Sequence, residues 1–111
     1  MNTPYDTALA VVDEATDLFM GDRAATYGDP LPDFTRIGRM WAAILNSEPI
    51  APHTVAAMLA GLKLIRSQIN PAHRDNWVDL VAYGALGADV HQRAHTPEPV
   101  ARMATQARVQ P

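Results

Sequence analysis

Two pairs of opposite charges interrupt the most apolar part of the sequence. Lys63 and Arg66 follow a run of apolar residues that starts at position 55, and Asp79 is the only carboxylate between positions 77 and 88. Asp75 precedes Asp79 by one helical turn, so both carboxylates lie on one face of a helix. Two carboxylates beside two cations can hold a divalent metal and a phosphate together. One interpretation of this stretch is therefore a site for Mg²⁺ and a phosphate group.

The spacing of these charges also predicts how they pair. Asn70-Pro71 predicts a short turn that folds the flanking helices antiparallel. Because position 71 is the midpoint of 63 and 79, Lys63 is expected opposite Asp79, with Arg66 opposite Asp75. Two salt bridges would satisfy these groups without any ligand, and Asp75 could instead be the N-cap of its helix. Spacing alone leaves the structural and the ligand-binding interpretations open.

A second acidic motif lies near the N-terminus. Asp13-Glu14-Ala15-Thr16-Asp17 has the spacing of a helical metal motif. On a helical projection Asp13 and Asp17 point away from the apolar stripe, which favours a solvated face, while Glu14 lies at its edge. Glu14 is therefore the candidate metal ligand of this motif.

Two other polar clusters have competing explanations. Asp22, Arg23 and Tyr27 could form part of a phosphate or substrate site, or could simply cap a helix end and form a turn. His91 and His95 have zinc-binding spacing but no third ligand, so solvated side chains are expected.

The elements that must position these residues are helices, since no segment alternates with period two. The first is expected to begin at Thr3-Pro4, with Asp6 as a capping-box acid, and to end at Gly21 or Gly28. The second should follow a cap at Asp29-Pro30 and stop at Asn46-Ser47-Glu48-Pro49. The last two should run from Pro52 to about Ile69 and from about Asp75 to Ala94.

Length and composition limit the class of protein. The chain has 111 residues, which indicates one domain over residues 1–95 and a flexible tail over residues 96–111. It has no Cys, and its net charge of -3 argues against binding extended nucleic acid. No signal peptide and no membrane-spanning apolar run is evident, so a cytoplasmic protein is expected.

The last two of these helices are apolar nearly all round, which predicts burial on most sides. A lone small bundle does not cover that much apolar surface. The predicted fold is therefore an all-α, four-helix bundle-like domain completed by dimerisation, as a homodimer or a higher homo-oligomer.

Taken together, the motifs between about residues 8 and 90 resemble a known pattern. The order is D-R-x-x-x-Y-G, then Phe34 and Trp41 on one helix, then K-x-x-R and D-x-x-x-D-x-x-x-Y. It resembles a family of small helical proteins common in phages and actinobacteria, and is distantly similar to the all-α NTP pyrophosphatase (MazG-like) superfamily. Those enzymes are usually dimeric, and they hold Mg²⁺ on helical carboxylates while a metal-activated water cleaves between the α- and β-phosphates.

The resemblance implies roles for the candidate residues. Asp75, Asp79 and Glu14 would hold Mg²⁺, and phosphates or substrate would be bound by the residues Lys63, Arg66, Arg23, Tyr27 and Asp22. The sequence departs from the superfamily pattern, because its first motif is Asp-Glu-x-x-Asp rather than Glu-Glu-x-x-Glu, and its second is Asp-x-x-x-Asp rather than Glu-x-x-Asp. No catalytic residue is assigned.

Three functions therefore compete. The first is metal-dependent binding of nucleotide phosphates, or hydrolysis of a nucleoside triphosphate by a Mg²⁺-dependent pyrophosphatase. The second is a non-catalytic module that binds a nucleotide, and the third is a phage protein-interaction domain. Metal dependence separates the first two, and the third predicts no affinity for nucleotides.

Overall fold

The computed structural model describes residues 2–21, 25–26 and 28–96, and four helices packed together account for most of them. The helices are α1 (Asp6–Met20), α2 (Pro30–Leu45), α3 (Pro52–Ile69) and α4 (Arg74–Ala94). The all-α, four-helix prediction is confirmed. The predicted tail lies outside the described residues, apart from its first residue, Thr96.

Local sequence signals set the helix ends. Asp29 caps α2, since its side chain accepts a hydrogen bond of 2.9 Å from the backbone N–H of Leu31, and Pro30 occupies the first helical position. Asn46 closes α2 in the left-handed conformation. At the start of α1, Asp6 accepts 3.0 Å hydrogen bonds from Thr3, as expected of a capping-box acid. Pro4 lies in the preceding turn and not in the helix, so that prediction was wrong by two residues.

The centre of the fold is the antiparallel pair formed by α3 and α4. The turn between them is held by the Trp77 indole N–H, which donates to the Pro71 carbonyl at 2.9 Å. Farther along, the helices come so close that a Cβ added at Gly87 would lie 3.3 Å from that of Ala56. This close approach fixes the register of the two helices along their whole length.

Helices α1 and α2 pack against this pair through two separate clusters. On one side, Ala15 of α1 is buried with Val78 and Ala82 of α4. On the other, Phe34 of α2 is buried with Val55, Ala56 and Val90 of α3 and α4, which are flanked by partly buried apolar residues.

Gly38 allows α2 to approach the segment before α3. A Cβ at this position would collide with the carbonyl oxygen of Ile50, which is backbone and cannot rotate away. The Ile50 N–H donates to the Gly38 carbonyl at 3.4 Å. Gly38 is therefore required for the contact that seats α2 on α3.

Within the single chain, α3 is less buried than its composition predicts. Five of its apolar side chains are 43–79% exposed; one is Leu64, and the other four are Met58, Leu62, Ile65 and Ile69. These four repeat at intervals of four, three and four residues, so they form one stripe along the helix. Among the described residues, no helix is long and apolar enough to cross a membrane.

Candidate functional site

The ion pair predicted from the register is present between α3 and α4. Lys63 Nζ lies 2.9 Å from Asp79 Oδ2, and the two side chains are only 19% and 23% exposed. Each residue lies more than one turn inside its helix, so helix packing fixes both Cα positions. The predicted pairing of Lys63 with Asp79 is confirmed.

This ion pair forms part of the wall of a groove beside the α3–α4 turn. The groove has a volume of about 470 Å³. Its lining residues are Lys63, Arg66, Ile69, Asn70, His73, Asp75, Asn76 and Asp79. Four of the predicted site residues therefore meet in one concave surface, two of them cationic and two anionic.

The second predicted ion pair, between Arg66 and Asp75, is not formed. Arg66 and Asp75 both line the groove and are exposed, but neither forms an ion pair with another residue of the described part of the chain. Asp75 is not the N-cap of α4 either, because that position is occupied by His73, and Asp75 lies in the first turn. The groove thus contains one cation and one carboxylate that no other described residue neutralises.

Glu14 lies outside the groove. Its carboxylate accepts a hydrogen bond of 2.9 Å from Arg74 Nε, a contact that ties α1 to the first residue of α4. In the described ranges, no group of three or more His, Asp or Glu side chains is arranged to hold a metal ion. The structure therefore brings Asp75 and Asp79 together but does not bring Glu14 to them.

Three of the predicted phosphate- or substrate-binding residues are Asp22, Arg23 and Tyr27. All three lie outside the described residues. Their assignment remains a prediction from the sequence.

A cluster that the sequence did not reveal joins the start of α2 to the end of α4. Arg93 donates to both carboxylate oxygens of Asp29, at 2.6 and 2.8 Å, and its Nε donates to Asp89 at 3.0 Å. We call these three residues the Arg93 clamp. The hydrogen bonds from Arg93 lower the pKa of Asp29, and the same bonds raise the pKa of Arg93. The i, i+4 spacing of Asp89 and Arg93 predicts that these two side chains meet on one helix face. Asp29 and Arg93 are 64 residues apart, so no local pattern predicts the bond between them.

The two histidines near the end of α4 are exposed, as expected, but they are not isolated. The ring centroid of His91 lies 4.4 Å from that of His95 and 4.8 Å from that of His53 on α3. His95 Nδ1 also lies 2.8 Å from the His91 carbonyl oxygen. These contacts pack the rings against one another at the far end of the bundle from the groove.

Comparisons with known proteins place the chain in a family. The model of a family described as a domain of unknown function (DUF6378) matches residues 10–91. The chain is 31% identical over 90 residues to the Gene 55 protein of Mycobacterium phage L5 and 27% identical over 90 residues to that of Mycobacterium phage D29. The matched region is 81% of this chain but 55% and 59% of those two proteins, so the chain spans little more than half of their length. No solved structure matches the chain.

These matches bear on the resemblance drawn from the motifs. The similarity to phage proteins is confirmed, whereas these comparisons do not show a relationship to the MazG-like enzymes. The matched residues run from α1 to near the end of α4 and include the whole groove, and the chain belongs to the DUF6378 family.

Proposed function

We propose that this domain binds the phosphate groups of a nucleotide together with Mg²⁺ in the groove beside the α3–α4 turn. The observation that carries the proposal is the incomplete pairing in that groove. Lys63 and Asp79 form an ion pair of 2.9 Å, while Arg66 and Asp75 line the same surface without an ion pair to any described residue. A phosphate group would give Arg66 a partner of opposite charge, and a metal ion would do the same for Asp75.

The cations suit a phosphate ligand. Arg66 is exposed at the rim, where its planar guanidinium can donate two parallel hydrogen bonds to phosphate oxygens. Lys63 lies deeper and offers a point charge that can move from Asp79 to a phosphate. Two such contacts favour a polyphosphate over a single neutral ligand.

The carboxylates suit a hard cation. Mg²⁺ is commonly held by one or two carboxylates, with phosphate oxygens and water completing its octahedral shell. Asp75 and Asp79, one helical turn apart, supply that number. When bound, Mg²⁺ would neutralise the charge of the polyphosphate and polarise its oxygens.

Binding is better supported than hydrolysis. The MazG-like resemblance implies a further carboxylate from α1, but Glu14 is held by Arg74 at 2.9 Å. Pyrophosphohydrolysis would require Glu14 to leave that ion pair and enter the groove. Product analysis in the binding experiment below distinguishes the two activities.

The proposal is tested by calorimetric titration of the four ribonucleoside triphosphates and inorganic tripolyphosphate, with and without Mg²⁺. We expect Mg²⁺-dependent binding that Arg66→Gln and Asp75→Asn each weaken at least tenfold, since each loses a charge-assisted contact. Matched controls are Arg39→Gln on α2 and Asp13→Asn on α1, which are exposed and lie outside the groove.

Two results would overturn the proposal. One is the absence of any nucleotide or tripolyphosphate binding at millimolar ligand, which favours a protein-interaction domain. The other is binding that Arg66→Gln and Asp75→Asn leave unchanged, which places the ligand elsewhere on the molecule.

We also propose that the domain is a homodimer formed through the exposed stripe of α3. The four-three-four spacing of Met58, Leu62, Ile65 and Ile69 is that of a helix seam that packs against another helix. Sedimentation at micromolar concentration should show a species of about twice 12.1 kDa. Ile65→Lys should yield monomers, and Ala57→Lys, which is exposed on another face of α3, should not. A wild type that sediments only as a monomer would contradict this.

A further inference from the structure

A second and larger cavity lies among all four helices. Its volume is about 650 Å³. Most of its lining is apolar, with residues from the end of α1, the first half of α2, one residue of α3 and the second half of α4. Two carboxylates, Asp33 and Asp89, also line it. This size and composition are those of a site for a mostly apolar group with a few polar atoms.

The large cavity adjoins the phosphate groove along the α3–α4 pair. Leu59 lies one helical turn before Lys63, and Tyr83 one turn after Asp79, so the register that pairs the charges also sets Leu59 opposite Tyr83. Leu59 and Tyr83 both line the large cavity.

A small cavity of about 20 Å³ borders both spaces, because it shares lining residues with each of them. Asp79 borders it on the groove side. Its other end shares with the large cavity the residues Leu18, Phe19, Tyr83 and Leu86. The groove and the large cavity therefore lie next to each other on the two sides of Asp79, close enough for one ligand to contact both.

The two carboxylates that line this cavity differ in whether another side chain is bonded to them. Asp89 is bound by Arg93 at 3.0 Å. Asp33 is half-buried and has no hydrogen bond or ion pair with any residue of the described ranges. A carboxylate in mostly apolar surroundings is costly unless a donor reaches it. A ligand that enters this cavity is therefore expected to present N–H groups to Asp33.

We infer that the large cavity binds the nucleobase of the nucleotide whose phosphates occupy the groove, and that Asp33 selects bases that carry an amino group. This inference rests on the proposed function. An amino group donates to the Asp33 carboxylate, whereas the carbonyl oxygen that replaces it in uracil repels the same carboxylate. Cytosine and uracil form the sharpest comparison, because they have the same size and differ only in the amino or carbonyl group at position 4 and in the hydrogen on the neighbouring N3.

The experiment compares CTP, UTP and inorganic tripolyphosphate, each titrated with Mg²⁺ into the full chain. We expect CTP to bind at least tenfold more tightly than tripolyphosphate, and about tenfold more tightly than UTP. Asp33→Asn should remove the preference for CTP over UTP, because an amide can accept from or donate to either base. Tripolyphosphate should bind this variant as it binds the wild type.

A filling variant locates the base. Ala85 is an exposed residue that lines the cavity, and Ala88 is exposed on the same helix but does not line it. Ala85→Phe should lower CTP affinity to that of tripolyphosphate without changing tripolyphosphate binding. Ala88→Phe is the matched control and should change neither.

The outcomes separate the two proposals. If CTP, UTP and tripolyphosphate bind equally well, phosphate binding in the groove is supported and the base site in the large cavity is overturned. If CTP binding survives Ala85→Phe, or its preference over UTP survives Asp33→Asn, the inferred base contacts are wrong. If none of the three ligands binds, the proposed function fails and the inference fails with it.

Discussion

The Arg93 clamp and the phosphate groove are both built from Arg or Lys with Asp, yet they differ in how completely their charges are paired. In the clamp, all three guanidinium nitrogens of Arg93 are within 3.0 Å of a carboxylate oxygen of Asp29 or Asp89. In the groove, Lys63 and Asp79 form the only ion pair between residues that the structure describes. Every charged side chain of the clamp therefore has a bonded partner, whereas Arg66 and Asp75 in the groove have none among the described residues.

The clamp and the groove also differ in how far their paired side chains are exposed to solvent. The clamp is the more exposed of the two, with side chains 37–51% accessible, and surface pairs of this kind add little to stability. The Lys63–Asp79 pair is 19% and 23% exposed, so desolvation is costly there. A protein that needed only a structural link would gain more from apolar residues at those two positions. The proposed ligand would account for a costly ion pair at these two positions.

The largest effect is expected from Asp79→Asn. It should weaken Mg²⁺-dependent binding of tripolyphosphate by at least a hundredfold, because it removes a metal ligand and leaves Lys63 without its partner. Its cost in the free energy of unfolding should stay below the roughly 3–5 kcal/mol seen when a fully buried pair is broken, since Lys63 retains access to water in the groove. Calorimetric titration and thermal melts measure the two quantities.

The control for this comparison is Asp29→Asn in the clamp. Asn also caps helices well, so α2 should keep its N-terminus, and tripolyphosphate binding should be unchanged. A strongly destabilised Asp79→Asn variant, beside a wild type that no nucleotide stabilises, would show that the groove pair is as structural as the clamp.

How far the sequence could predict the site depends on the length of the connections. Lys63 and Asp79 flank a turn of four residues, so counting from Pro71 gave their pairing correctly. The cap at Asp29 and the stop at Asn46 were also predictable, because both depend on local backbone hydrogen bonds.

Contacts between distant segments were not predictable. Glu14 meets Arg74 across 60 residues, and this follows from how α1 packs along α4, which helical periodicity does not specify. The same is true of Asp29 with Arg93 and of the cavity among the four helices. The sequence identified which residues could do chemistry, but only the tertiary packing separates those in the groove from those in structural pairs.

A smaller effect is expected from Gly38→Ala, which tests whether the groove depends on α2. The added methyl group would meet the Ile50 carbonyl oxygen, so the variant should lose about 2 kcal/mol of stability, or roughly 10 °C in Tm. Tripolyphosphate affinity should be retained, because α3 and α4 supply the groove residues with the turn between them. Gly84→Ala, where nothing lies within 4 Å of the added Cβ, should instead be stabilising by up to about 1 kcal/mol. Loss of tripolyphosphate binding in folded Gly38→Ala would show that α2 shapes the groove.

The smallest effect concerns the clamp itself. Arg93→Gln should lower the free energy of unfolding by about 1 kcal/mol at neutral pH, as for other partly exposed pairs, with no change in tripolyphosphate binding.

The hydrogen bonds from Arg93 hold the pKa of Asp29 below its unfolded value, so the clamp contributes fully above the unfolded pKa. Its contribution is lost as the pH falls through the lowered pKa of folded Asp29. The stability difference between wild type and Arg93→Gln should therefore be constant above about pH 5 and shrink below about pH 4. Denaturant unfolding at a series of pH values measures this, with Arg39→Gln as the control. A difference that did not shrink in acid would mean that Arg93 stabilises the domain by packing its side chain and not by its charge.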